Sequence, residues 1–363
     1  MADKPFSPAA VAGRHPVLVF IALTFAITWS VWFCVPWVAG PDWALGKIVT
    51  GLAFGPALAA IVMDRWRGTG ATFGDRIWWM RFFPVFAIVA TIDLSILLTG
   101  DAITAGGFAI AQPPGLSPLG VASALSAAAV AGFIVAMLAG SRSPRLSSVF
   151  RWRAPLRWWL AALFLPAGWM LLGVLIAWTT GSPIESASGG LPPPVWGLFL
   201  LRSTLFTLLV VAVGEEAGWR GWMLPELQKR MSPLASTALI GVVWGLWHYP
   251  LFVNGQYPDD PQMVFAKVGV CVLLGILFTW LYNRSGGNLL LAVVLHTTLN
   301  NTARVMPFTE YAGVGMLVLL LVLVIADRMW RRRGKATIGG DPAEPPDAEP
   351  SGASRSRTTR ADS

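Results

Sequence analysis

The sequence predicts an all-α, polytopic transmembrane helical bundle of about ten spans with both termini in the cytoplasm. Three observations predict it. The 363 residues are 55% hydrophobic and 13% charged, against roughly 45–50% and 25% in a soluble domain. Apolar runs of about the twenty residues that a bilayer needs fall at 17–38, 44–63, 84–100, 119–140, 158–179, 195–214, 234–253, 263–282, 289–305 and 312–327. The loops between these runs alternate in charge.

Lys4 and Arg14 precede the first run, and Arg65, Arg67, Arg76 and Arg81 follow the second. Arg142, Arg145, Arg151, Arg153 and Arg157 follow the fourth, Lys229 and Arg230 the sixth, Arg284 the eighth, and Arg328, Arg331, Arg332 and Arg333 the tenth. The alternate loops, "AGPDW", "DAITAGGFAIAQPPGLSP", "GSPIESASGGLPPP", "NGQYPDDPQ" and "MPFTEY", hold no Lys or Arg. Positive charge accumulates on cytoplasmic loops, so both termini are assigned there, and an odd number of spans would break the pattern.

The 19 Trp and 19 Phe outnumber the 4 Tyr and cluster where apolar runs meet basic loops, as in "RIWWMRFF" and "LRWWLA". Such residues anchor a helix at the lipid headgroups. The net charge of +8 is spread over short loops and the C-terminus, which fits topology and argues against nucleic-acid binding. Cys34 and Cys271 stand alone in apolar runs and make neither a disulfide framework nor a CxxC metal site. The first run has spanning length and no small-residue cleavage pattern after it, so it is expected to stay in the protein.

The expected organisation is a cytoplasmic segment at 1–16, N-terminal spans over 17–194, a helical core at 195–305, a last span within 306–330 and a disordered cytoplasmic tail at 331–363. The tail is rich in Pro, Ser, Asp and Glu and nearly free of large apolar residues, so it cannot bury a core. The stretches 65–83 and 142–158 mix Arg with Trp and Phe and are expected to lie along the inner surface.

An ionisable side chain within the bilayer costs roughly 2.5–3.5 kcal/mol on insertion scales. The candidates are Asp93, Arg202, Glu215, Glu216, Arg220, His248, Lys267 and His296, with the amides Asn300 and Asn301. Glu216 and Arg220 are i and i+4, the favourable order for a helix ion pair, and Glu215 is rotated about 100° from Glu216 and free to face elsewhere. Trp244 and His248 share that spacing, as do His296 and Asn300. At about 1.5 Å per residue, the expected depths from the cytoplasmic boundary are about 10 Å for His296, 15 Å for Glu215 and 21 Å for His248. A carboxylate and an imidazole sharing a water can make it nucleophilic, and a His with an Asn amide can donate hydrogen bonds to a developing oxyanion. That chemistry hydrolyses an amide.

The three helices resemble the CAAX-prenyl protease and bacteriocin-processing family (CPBP, or Abi) of intramembrane endopeptidases. Its EExxxR, aromatic-xxx-His and HxxxN motifs read here as Glu215-Glu216-Ala-Gly-Trp-Arg220, Trp244-Gly-Leu-Trp-His248 and His296-Thr-Thr-Leu-Asn300, within 195–305. The resemblance implies that Glu215 activates water with His248, that His296 and Asn300 stabilise the oxyanion, and that Glu216, Arg220 and Trp244 support the site. Trp244 stands where the family often has Phe, a change expected to alter packing more than chemistry. Cleavage is expected near the cytoplasmic side, on a peptide or membrane-tethered protein.

Other readings compete. Glu215, His248 and His296 make a His2Glu set able to hold zinc, but no HExxH preassembles two ligands, so metal-free water activation is favoured and no cofactor is assigned. Asp93 with Glu216 suggests a proton-coupled transporter, and a non-catalytic scaffold of the same shape is the third reading. Asp93 is expected to bond a neighbouring hydroxyl, Arg202 or Lys267, whereas Arg202, Lys267 and Arg304 are expected to snorkel to the headgroups. Arg predominates over Lys, and Ala, Gly and Pro are abundant, which suggests a GC-rich bacterial genome and a bacterial cell membrane.

Overall fold

A computed structural model describes residues 12–103, 109–111, 113–184, 192–307 and 309–332. Most of the expected N-terminal segment (1–11) and of the expected tail (333–363) lie outside the described residues. Each of the ten expected runs is helical among the described residues. They are α1 (Pro16–Ala39), α2 (Trp43–Trp66), α3 (Arg76–Thr99), α4 (Pro118–Gly140), α5 (Leu156–Thr180), α6 (Pro193–Gln228), α7 (Pro233–Val253), α8 (Pro261–Arg284), α9 (Leu289–Val305) and α10 (Ala312–Ala326). Eight are long and apolar enough to cross a membrane, whereas α9 and α10 are shorter, with 17 and 15 residues. The bundle is all-α except for a small antiparallel hairpin between α3 and α4, with β1 (Asp101–Ile103) paired to β2 (Ala109–Ala111).

Helix starts follow from caps. Asp42, Asp75, Ser117, Ser232, Asp260 and Asn288 each accept a backbone N–H from the first turn of the following helix, satisfying donors that have no partner within the helix. The Asp75 cap starts α3 at Arg76, so the expected start at 84 is corrected: Pro84 lies inside the helix. Neighbouring helices in a bundle tolerate such a proline. Residues 76–83 are therefore the first turns of a span and not a surface segment. In the stretch 142–158, a short helix (Pro144–Ser147) and a 3₁₀ turn lead into an extended link before α5.

The two ends of the bundle differ chemically. At one end Arg67 donates to Glu226 at 2.9 Å, Lys229 does so at 2.8 Å, and Arg145 lies 3.8 Å away. Arg142 bonds the Gly68 carbonyl, Arg151 bonds that of Gly286, and Arg284 pairs with Asp327. The ends of α2, α4, α6, α8 and α10 thus gather on one arginine-rich face, as the alternating loops require. At the other end Lys47 pairs with Asp101, Arg202 bonds Thr99 at 2.7 Å, Asn254 bonds the Trp32 carbonyl, and Ser182 meets Tyr311.

Close helix approach depends on two glycine pairs. On α6, a Cβ at Gly214 would lie 2.5 Å from Phe54 Cγ, and one at Gly218 would lie 2.5 Å from the Pro56 carbonyl oxygen. On α7, a Cβ at Gly241 or Gly245 would lie 2.4 or 2.5 Å from the Cα of Val272 or Val268 on α8. Helices in lipid gain little from hydrophobic association and rely on such small residues for tight packing. Gly218→Ala should lower stability by about 1–3 kcal/mol through overpacking. Gly168→Ala, an exposed position with open space around it, should not. Thermal unfolding of the purified variants in detergent makes the comparison.

Candidate active site

With Gly214 and Gly218 pressed on α2, the carboxylates between them turn towards α7, α8 and α9. Two wider π-helical stretches, Thr207–Ala212 and Trp219–Met223, flank the α-helical turn Val213–Gly218 that carries both glutamates. Departures of this kind re-aim side chains and recur at functional sites. The helix continues to Gln228, so the motif sits within the span. A charge pair ending the span at the headgroups is thereby replaced by a buried one.

Glu216 is fully buried. Arg220 Nη1 lies 3.0 and 2.9 Å from its two oxygens, and His296 Nδ1 lies 2.8 Å from Oε1. The Arg220 guanidinium packs over the rings of Trp244 at 4.8 Å and Phe278 at 4.1 Å. Ring faces attract a cation most when it is shielded from water. The i, i+4 pairing of Glu216 with Arg220 is as expected. The contact of His296 with Glu216 was not visible in the spacing.

Glu215 faces another way. It accepts a hydrogen bond from the Trp244 indole N–H, a bond that Phe could not supply. Trp at this position therefore bonds the carboxylate and does not merely fill space. His248 stands at the break between Pro233–Trp247 and Tyr249–Val253. Its backbone N–H turns to the Gly245 carbonyl at 3.2 Å, and its ring Nδ1 lies 2.7 Å from the Trp244 carbonyl oxygen. A carbonyl oxygen only accepts, so Nδ1 carries a proton, and in the neutral ring Nε2 keeps its lone pair.

Glu215, His248 and Asn300 line one chamber of about 610 Å³, with apolar walls that include Phe54, Phe206, Val211, Leu274 and Met316. His296 is not on this lining. It lies one turn before Asn300 on α9, behind the chamber, with its ring against Phe278 and Trp244 at centroid distances of 5.6 and 6.1 Å. Asn301 bonds back to the Thr297 carbonyl at 2.9 Å. A cavity of about 750 Å³ at the arginine-rich end contains none of the motif residues.

The His2Glu zinc set does not assemble: among the described residues no three His, Cys, Asp or Glu are grouped to hold a metal ion. The physical reason is the separate layer that His296 shares with Glu216.

Several residues behave unlike their sequence readings. Asp93 is fully buried, and neither carboxyl oxygen has a hydrogen-bond partner among the described residues. Arg202 instead bonds Thr99 and the Gly100 carbonyl and lies 4.0 Å from Asp101. Lys267 donates to the Tyr257 hydroxyl at 3.3 Å. Arg304 lines the chamber and packs near Phe199 at 5.8 Å. Arg202 and Lys267 thus engage groups at the arginine-free end of the bundle, and Arg304 lies against the chamber. Tyr257, whose ring stacks on His248 at 6.1 Å with a 17° tilt, was missed because it sits in a loop. The glycine pairs were legible as small-xxx-small spacing.

Two comparisons bear on this segment. Residues 196–302 match the family described as type II CAAX prenyl endopeptidase Rce1-like. The "CAAX prenyl protease 2" of Methanococcus maripaludis is 32% identical over 130 residues, which is 33% of this chain and 48% of that relative. The chain therefore spans about half the length of the curated relative it matches. All three motifs lie inside the matched residues, so the segment that carries them, 196–302, is similar to the Rce1-like CAAX prenyl endopeptidases.

Proposed function

We propose that the chain is an intramembrane endopeptidase whose water is activated by Glu215 and His248. One observation carries the reading: Glu215, His248 and Asn300, from three different helices, line a single chamber. His248 Nε2 and the Glu215 carboxylate take the proton of a water as its oxygen attacks the peptide carbonyl. The Asn300 amide donates to the oxyanion that forms. His296 adds a second donor only through Nε2, because Nδ1 faces Glu216. Collapse of the tetrahedral intermediate returns the proton to the leaving amine, and the carboxylic acid so formed gives its own proton to that amine, leaving a carboxylate and an ammonium group.

The names of the family and of the relative suggest a lipid-modified peptide, and the apolar chamber walls suit a substrate with an apolar or lipid-bearing end. The depth count placed cleavage near the cytoplasmic side, but the chamber lies in the half of the bundle away from the arginine-rich loops. The second carboxylate supports this reading over a proton-coupled carrier, since Glu216 is engaged by both Arg220 and His296.

Purified protein incubated with apolar-tailed and prenylated peptides, with and without a strong chelator, is expected to give cleavage unaffected by the chelator. Glu215→Gln and His248→Ala should abolish turnover while leaving thermal unfolding near that of the parent. Asn300→Ala should lower kcat by about 10²–10³. Equal turnover of Glu215→Gln and the parent would sink the assignment.

The Glu216–Arg220–His296 layer acts through the glutamate beside it. Removing the cation with Arg220→Met strands a buried carboxylate and should destabilise by about 3–5 kcal/mol. Adding Glu216→Gln to that variant removes the stranded charge and should restore much of the stability without restoring full activity. Thermal unfolding read alongside kcat separates the two effects.

A further inference from the structure

The polar part of the chamber lining belongs to one end of the bundle, and Val270, on the flank of α8, is exposed as well. Lys47 lies in the first turns of α2, Arg304 in the last turn of α9, Gly313 in the first turn of α10, and Tyr257 in the loop after α7. These are the ends joined by the loops without Lys or Arg. The lining also includes the exposed Ala303, so the chamber is not sealed on that side.

Towards the other end it is blocked. Beneath Glu215 lies the layer of Glu216, Arg220 and His296, none more than 4% exposed. Beneath that, Met223, Leu224, Leu289 and Leu291 are fully buried, and a Cβ at Gly221 would lie 2.9 Å from Leu146 and 3.3 Å from Leu289. A layer packed this closely has no room for a water path. Hydrolysis consumes water, and with the arginine-rich end closed, water enters from the arginine-free end, where the polar residues of the lining lie.

We propose that the chamber takes its substrate from the extracytoplasmic face, as a peptide presented by a secreted, lumenal or outward-facing membrane protein. The step from geometry to sidedness is the positive-inside rule, which puts the arginine-rich end in the cytoplasm. The proposal rests on the hydrolase reading for the word substrate, but the sidedness of the chamber stands without it. The polar entrance formed by Lys47, Gln256, Tyr257 and Arg304 is suited to hydrated chain, and the walls below it to apolar side chains.

The test is thiol labelling of the full-length chain with Cys34→Ser and Cys271→Ser, using a membrane-impermeant maleimide on intact cells and on inverted vesicles. Ala303→Cys and Gly313→Cys report on the chamber, where Gly313 has open space for a side chain. Arg153→Cys, an exposed position at the arginine-rich end, reports on the opposite side. Both chamber positions should react in intact cells, and Arg153→Cys only in inverted vesicles. Chamber labelling confined to inverted vesicles, chamber labelling from neither side, or Arg153→Cys reacting in intact cells would each overturn the proposal. If the double serine background is not folded, the buried Cys271 is kept and the Cys34→Ser chain serves as the blank. No step of this readout depends on cleavage, so a chain that labels as expected but cuts no peptide refutes the hydrolase reading alone.

Discussion

The structure depends on one buried ionic contact, Glu216 held between Arg220 and His296. An isolated carboxylate in a bilayer interior carries an electrostatic penalty of several kcal/mol, and only a near-complete set of partners makes the position tolerable. Arg220 supplies the charge from one turn along α6. His296 brings in α9, and the rings of Trp244 and Phe278 hold the guanidinium from α7 and α8. Four helices are therefore fixed relative to each other by the needs of one acid.

That contact forms because α6 can approach its neighbours. Gly214 and Gly218 bring it against the break of α2 at Phe54 and Pro56, and Gly241 and Gly245 bring α7 onto α8. Each glycine pair brackets a motif residue: Glu215 and Glu216 lie between the first pair, Trp244 between the second. Packing and chemistry are thus encoded in the same few turns. A methyl group at Gly218 would push away the helix that aims Glu215.

Much of this was legible in the sequence. The ten spans follow from run length and from loops of alternating charge, since lipid forces each crossing to be a helix. The motif residues were legible because i, i+4 spacing puts Glu216 with Arg220 and His296 with Asn300 whatever the tertiary arrangement. What spacing cannot carry is contact between helices. The indole bond to Glu215, the Tyr257 ring on His248 and the seating of His296 behind the chamber all depend on how deep each helix begins. The start of α3 was misread because Pro84 resembles a helix start, whereas the Asp75 cap nine residues before it decides the boundary. The partners of Arg202 and Lys267, at the end of another helix and in a loop, could not be read from spacing.

The adjacency of Glu215 and Glu216 follows from these constraints. One carboxylate is dry and holds the helices, and the other lines the chamber, where the proposed reaction places a water. Neighbouring positions on a helix are about 100° apart, so a single turn can aim one acid into the packed layer and the other into the chamber. Arg220 then neutralises the first without occupying the second. Had the two acids been four residues apart they would share a face, and the cation would be divided between them. A consecutive pair lets the bilayer carry one charge layer at this depth while leaving the residue beside it, to which the proposed catalysis is assigned, unclaimed by that cation.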